Sequence, residues 1–209
     1  MAELHTKRLQ ELARFAQKFK TPHDIQQFLN SLSYPSHKIC QSPWYVMKNR
    51  QSHCAEGAYF AAAVFALTGS RPLVVDLLAE NDDDHLIVPF RRNGRWGAVA
   101  KSNTTLLRYR EPVYRTLREL VMSYFDFYFN TRGFKSLRSY TRPVNVNRIG
   151  GKNWMTSDND LNFIGERLTA LPHIPLIDKN MRASLALADS DLVSDCFLGA
   201  NEEGLFKPR

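Results

Sequence analysis

The sequence predicts an α+β fold in which a buried central helix packs against an antiparallel sheet, with added helices at both ends. Three stretches carry this prediction. The apolar run 55–67 follows polar residues and stops at Gly69, as a buried helix does. A β-rich run, 72–78, comes next. Asn93-Gly94 then separates two further apolar runs, which is the strongest local signal for a β-hairpin.

The composition indicates one soluble domain. Of 209 residues, 44% are hydrophobic, which is enough for one substantial core, while the length is too small for two large domains. No run approaches the roughly 18 apolar residues that a membrane helix needs, and the first residues alternate charged and polar side chains where a signal peptide is apolar. We therefore expect a soluble, cytoplasmic protein that does not enter membranes. The oligomeric state is open.

The net charge of +7 favours anionic partners. The basic residues between 91 and 142 are spread along the chain, however, and no helix-turn-helix glycine, zinc-ligand spacing or aromatic RNA-binding signature accompanies them. A solvated basic face explains them more simply. Nucleic acid is therefore the less favoured partner.

Two amphipathic helices are predicted over 3–32, ahead of the central helix. Apolar residues recur at helical spacing from Leu9 to Phe19. Thr21 and Pro22 then supply an N-cap and a first-turn proline for the second helix.

A C-terminal helical extension is predicted over 112–200. Helical spacing of apolar residues over 113–130 and again over 161–171 indicates helices that cover the sheet. The tail from Asn201 is polar and is expected to fray.

Three cysteines, an odd number at wide spacing, indicate reduced thiols; they are Cys40, Cys54 and Cys196. Cys54 differs from the others in its position at the first turn of the central helix. Unpaired backbone N–H groups and the macrodipole favour a thiolate there, although Glu56 in the same turn opposes it. His85 follows one strand later. A cysteine nucleophile and its histidine base are often arranged in this way.

The stretch 40–110 also carries a family resemblance. It contains Arg50-x-Ser52-x-Cys54, an Ala-rich helix, Leu67-x-Gly69, a strand, and His85 ahead of a hairpin with Trp96. This order resembles the core of the transglutaminase-like superfamily of papain-fold cysteine enzymes.

The resemblance implies a single transglutaminase-like domain over 1–209, with its core at about 40–110. It implies acyl-enzyme chemistry on amides, with Cys54 as the nucleophile and His85 as the base. The third member of the family's triad, usually Asp about four residues past a tryptophan, falls here on Ala100.

The hairpin register predicts a replacement for that missing acid. Continuing the ladder from an Asn93-Gly94 turn places Ser102 opposite His85, on the same face of the sheet. Ser102 is therefore predicted to orient the imidazole, with Asn103 as the next choice. Either group can accept the ring proton, but neither supplies the negative charge that stabilises an imidazolium.

Two other features are close to the predicted dyad in sequence. Trp44, Tyr45 and Trp96 are candidates to line a substrate cleft, with packing on the core as the alternative. The acidic loop 80–84 lacks the ligand spacing of a calcium loop, so we expect a solvated turn whose charge favours the imidazolium form of His85.

Two functional hypotheses follow. In the first, the protein is a thiol hydrolase or acyltransferase that acts on an amide or ester bond through a Cys54 thioester. Peptides and proteins are among the substrates that fit this chemistry. It needs neither a cofactor nor a metal. In the second, the same fold is catalytically inactive and binds an acidic protein or nucleic acid.

Overall fold

The computed structural model of the chain describes residues 2–37 and 39–208, and over these residues the protein is α+β. The strands are β1 (Leu73–Ala79), β2 (His85–Arg92), β3 (Arg95–Val99), β4 (Arg110–Tyr114), β5 (Leu137–Thr141), β6 (Val144–Asn145) and β7 (His173–Pro175). The helices are α1 (Ala2–Ala16), α2 (Pro22–Asn30), α3 (Pro43–Asn49), α4 (Cys54–Leu67), α5 (Leu117–Phe125), α6 (Val146–Ile149), α7 (Asn162–Thr169), α8 (Lys179–Ala183) and α9 (Ser190–Phe197), with a 3-10 turn at Glu202–Gly204.

The strands form one antiparallel sheet in the order β4-β3-β2-β1-β5-β7, and β6 also pairs with β1. Its two faces belong to separate hydrophobic clusters. One cluster joins the sheet to α1, α2, α3, α4 and α7, and the other joins it to α5. The sheet therefore lies between two helical layers.

The predicted central helix is confirmed as α4. It begins at Cys54 and ends at Leu67, and the following Gly69 has a φ of +92°, which suits a glycine after a helix. Every residue from Glu56 to Val64 is buried. The small and apolar run is thus the sequence of a helix that is enclosed on all sides.

The predicted hairpin and the second N-terminal helix are also confirmed. Asn93 and Gly94 both have positive φ, 51° and 75°, which a type I′ turn requires. In α2, the hydroxyl of Thr21 accepts from the backbone N–H of Asp24, and Pro22 is the first helical residue.

The region after the hairpin differs from the prediction. The residues around Val113 form β4 rather than the start of a helix, and α5 ends at Phe125 instead of continuing to 130. The extension over 112–200 also adds β5, β6 and β7 to the sheet. Side chains of the edge strand β4 alternate between half-buried and exposed, and Val113 is one of the exposed ones. The spacing of apolar residues alone therefore assigned this strand wrongly to a helix.

None of the helices over 2–37 and 39–208 combines the length and the apolar character that crossing a bilayer requires.

A glycine in α4 allows the helix to approach the segment after β3. A Cβ placed on Gly57 would lie 2.3 Å from the Cβ of Lys101. Lys101 has little freedom to move, because its buried ammonium group donates to the carbonyl oxygens of Leu29 at 2.9 Å and Leu32 at 2.6 Å, at the end of α2. The close approach is therefore fixed from both sides.

We predict that Gly57→Ala lowers the free energy of unfolding by about 1–3 kcal/mol, because an overpacked contact forces the backbone or side chains to shift. Gly165→Ala in α7 is the matched control. The nearest atom to its added Cβ would be the Tyr59 hydroxyl at 3.9 Å. Alanine's better helix propensity should then raise stability by about 0.5–1 kcal/mol. Urea unfolding measures both variants, and a Gly57→Ala protein as stable as the wild type would contradict the prediction.

Candidate thiol site

Cys54 and His85 line one small cavity of about 70 Å³, at the end of the sheet where α4 begins. Ser102 and Asn103 line the same cavity. The structure therefore brings the four residues predicted to be catalytic to one place, although their contacts differ from those expected.

Cys54 is half-buried as a residue, and its thiol contacts the backbone of the acidic loop. Its Sγ lies 4.0 Å from the carbonyl oxygen of Asp84. Burial, together with the charge of Asp83, raises the pKa of Cys54 to about 12, although hydrogen bonds with the Ala55 N–H and the Tyr34 side chain act in the opposite direction. The thiol is protonated in this form. The low-pKa thiolate expected at the start of the helix is therefore absent.

The His85 ring is neutral and held in one tautomer. Its Nε2 lies 2.8 Å from the carbonyl oxygen of Leu107. Because a carbonyl only accepts, Nε2 carries the proton and Nδ1 keeps a lone pair. Burial, with a smaller effect of Arg110, lowers the pKa of His85 to about 4. The expectation that the acidic loop would favour an imidazolium is wrong, because desolvation dominates and the charge that acts on the ring is the cation of Arg110.

Strand parity explains why the thiol and the ring do not pair directly. In β2, Leu86 packs in the cluster on the α4 side of the sheet and Ile87 in the cluster on the α5 side. His85 shares the face of Ile87, and its ring centroid lies 6.3 Å from that of Tyr128. Cys54 comes from the α4 side. Across the described ranges, no hydrogen bond joins the thiol to the imidazole, and the two groups meet only around the end of the sheet.

The contact to the ring comes from Leu107, rather than from the predicted orienting groups. The Ser102 hydroxyl lies 3.1 Å from that of Thr104. The Asn103 amide donates to the Asn201 carbonyl at 2.9 Å and accepts from its N–H at 2.8 Å. Ser102 and Asn103 thus hold parts of the chain around the cavity, and neither is seen to orient the imidazole.

The ladder that was extended to Ser102 in the prediction ends earlier, at Val99. The Gln26 side chain then takes the place of a strand partner. It donates to the Ala100 carbonyl at 2.8 Å and accepts from the Ala100 N–H at 3.0 Å. Ala100 itself is fully buried in the core. The position where the family carries its Asp is therefore a packing position here.

The three aromatic residues proposed for the cleft lie elsewhere. The Trp44 indole donates to Glu11 at 3.0 Å, and its ring lies 4.4 Å from the Arg8 guanidinium carbon, so it joins α3 to α1. The Tyr45 hydroxyl donates to Asp158 at 2.6 Å. Trp96 is at the hairpin end of the sheet, under the Arg91 guanidinium group. None of them is among the residues described as lining the cavity.

The acidic loop is held in place instead of being a free solvated turn. The Ser136 hydroxyl donates to the Asp82 carboxylate at 2.6 Å, and the Ala79 N–H donates to the Asp84 carboxylate at 2.7 Å. Partial burial raises the pKa of Asp82 to about 6. The loop therefore forms an acidic, ordered wall of the cavity.

The C-terminal residues 189–208, called the cover segment below, form another wall. Phe197 and Phe206 line the cavity, and Asn201 carries the backbone atoms that pair with Asn103. The Asn201 side chain also donates to the Tyr34 carbonyl at 2.8 Å. The prediction of a frayed tail from Asn201 is wrong, because this tail packs on the site.

Sequence reasoning missed three contributors to the site: Tyr34, Leu107 and the cover segment. Tyr34 precedes a proline in an irregular stretch and carries no motif. Leu107 acts through a backbone carbonyl, which every residue has. The cover segment meets the site through contacts such as Asn201 to Asn103, which are 98 residues apart in sequence. No local pattern marks any of these.

Comparison with known proteins adds no family to these observations. No model of a protein family matches the chain, and a search of curated proteins finds no significant match.

Proposed function

We propose that the protein is a thiol enzyme of transglutaminase-like type, which acts on amide or ester bonds through a thioester at Cys54 with His85 as the base. The observation that carries this proposal is the shared cavity. A cysteine at the first turn of a buried helix and a histidine of fixed tautomer both line it. Cys54 is also partly exposed, whereas Cys40 and Cys196 are buried.

In acylation, the Cys54 sulfur attacks the carbonyl carbon of the substrate, and the thiol proton passes to Nδ1 of His85. The imidazolium then returns this proton to the amine or alcohol as the C–N or C–O bond breaks. In the second step, water or another amine attacks the thioester carbonyl carbon and gives a proton to His85. The C–S bond then breaks, and the imidazolium returns this proton to the Cys54 sulfur. Backbone N–H groups of the first α4 turn and the Tyr34 side chain, which contacts Cys54, are candidates to stabilise the oxyanion.

The cover segment must move for this chemistry. Binding pockets for small molecules are typically about 300–1,000 Å³. The cavity of about 70 Å³ is too small for an acyl group and its leaving group. Proton transfer also needs the sulfur and Nδ1 within roughly 3.2 Å, or one bridging water. We therefore assign the described form as a closed, resting form.

The inactive binding module is the competing function. Ala100 at the position of the family's Asp and the missing thiol–imidazole hydrogen bond favour it. Some of the arginines counted as a basic face are used internally: Arg110 donates to the Leu106 carbonyl at 2.9 Å, and Arg138 pairs with Glu80 at 2.7 Å. A binding surface for an acidic partner would therefore rest on other, exposed arginines.

Acylation by a small activated ester tests the proposed enzyme. Incubation with p-nitrophenyl acetate should place one acetyl group on Cys54, detected by peptide mass spectrometry. His85→Gln should slow this acylation by about 10²-fold or more, the usual contribution of a general base. Glutamine is chosen because its amide can still donate to the Leu107 carbonyl.

His23→Ala is the matched control, since His23 is exposed on α2, and it should acylate at the wild-type rate. If Cys54 is not acylated in preference to Cys40, or if His85→Gln reacts like the wild type, the binding module becomes the better account.

Opening of the cover segment is tested by thiol labelling. Asn103→Ala removes two hydrogen bonds to Asn201 and should raise the iodoacetamide labelling of Cys54 and Cys196 by roughly ten-fold, the effect of about 1.4 kcal/mol. Cys196 lies on the cover segment and lines the same cavity. Cys40 lies in the core cluster under α4 and should stay unlabelled.

Asn159→Ala, at an exposed position away from the cavity, is the control and should label like the wild type. Parallel labelling of all three cysteines in Asn103→Ala would indicate global unfolding. Unchanged labelling of Cys54 and Cys196 would show that this contact does not hold the segment closed.

A further inference from the structure

Three side chains with metal-binding atoms converge at the start of α4. His37 Nε2 lies 4.0 Å from one carboxylate oxygen of Glu56, and His53 Nε2 lies 3.6 Å from the other. If each residue offers one ligand atom, a ring nitrogen or a carboxylate oxygen, the three atoms lie within 4.8 Å of one another. A four-coordinate zinc ion with bonds of ~2.0–2.1 Å separates its ligand atoms by about 3.3 Å. Small side-chain rotations would therefore close the cluster around one ion.

Two groups of this cluster are incompletely compensated: the negative charge of Glu56 and the ring nitrogens of His37. The Glu56 carboxylate is fully buried, and both its oxygens accept backbone N–H groups, from Gln41 at 2.7 Å and His53 at 2.9 Å. Over the described residues, no lysine or arginine pairs with it. Both ring nitrogens of His37 are buried and have no hydrogen-bond partner among residues 2–37 and 39–208. A buried charge without a counter-ion and a buried ring without a hydrogen bond are both costly, and a cation placed between them would neutralise the one and bind a nitrogen of the other.

We propose that His37, His53 and Glu56 bind a divalent transition-metal ion of the zinc class. Two imidazoles and one carboxylate are one of the known donor sets of three-ligand zinc sites, which leave a fourth position for water or another ligand. Imidazole ligands also favour zinc over magnesium or calcium, which prefer oxygen. The site does not depend on the proposed acyl transfer.

This site carries no recognisable sequence motif, and no metal was expected. His37 and His53 are 16 residues apart, outside the usual spacing of zinc motifs, and only His53-x-x-Glu56 is local. The bound ion would tie the irregular stretch around His37 to the first turn of α4. It would thus fix the position of the turn that carries Cys54.

Zinc titration of the full chain tests the proposal. The protein is dialysed against a chelator, transferred to metal-free buffer and titrated with zinc chloride in a calorimeter. We expect one ion per chain and at least a ten-fold loss of affinity in His37→Ala, since even residues that only support metal ligands contribute this much. His37 is the variant of choice because its ring makes no hydrogen bond to any other residue that the structure describes.

Three further variants sharpen the result. His23→Ala removes an exposed histidine and should bind zinc like the wild type. His53→Ala should lose affinity as His37→Ala does. Cys54→Ala should retain wild-type affinity, which separates this site from the thiol. Cobalt(II) in place of zinc should give the visible absorption of a tetrahedral nitrogen and oxygen site, without a thiolate charge-transfer band.

A wild-type chain that binds no zinc, or a His37→Ala chain that binds it as tightly as the wild type, would overturn the proposal. So would loss of zinc binding in Cys54→Ala, because the site would then use the thiol. Zinc binding by a protein that is not acylated at Cys54 would leave this site standing while refuting the proposed enzyme.

Discussion

The close packing of α4 on the sheet is the constraint on which the rest of the structure depends. The helix that is buried from Glu56 to Val64 consists mostly of small and apolar residues, and at Gly57 even one methyl group would collide with Lys101. Because the body of the helix is fixed, its first turn is fixed too. That turn holds Cys54 at the cavity and carries two members of the histidine and glutamate cluster. One packing requirement thus positions both candidate sites.

The features that could be predicted from the sequence are those decided within a few residues. The start and end of α4, the Asn93-Gly94 turn and the Thr21 cap each depend on side chains close to the backbone they shape. The convergence of Cys54 and His85 on one cavity also follows, because a helix, a strand and a short loop leave little choice of arrangement. These local rules give the core its outline and the site its location.

The features that could not be predicted are decided by distant residues. The register from His85 to Ser102 failed because Gln26, on another helix, ends the ladder at Ala100. The face on which His85 lies was equally hidden, since both faces of β2 are buried and its apolar residues do not alternate with polar ones. The cover segment meets the site across about half the chain. No local sequence pattern distinguishes residues that make such long-range contacts from residues that face solvent.

Two opposing effects act on the pKa of Cys54, the helix N-terminus and burial. Their balance shows why access of water to the site, more than the identity of its residues, would govern the reactivity of the thiol. A helix N-terminus stabilises a nearby negative charge by about 0.3–1 kcal/mol, which lowers a pKa by less than about one. Burial acts in the opposite direction and raises the pKa of Cys54 from 9.0 to about 12. Burial also keeps the His85 ring neutral. In the described form the helix start therefore cannot activate the thiol. If the cover segment moves as we propose, the water it admits would lower the pKa of Cys54 and raise that of His85, which is the direction the proposed chemistry needs.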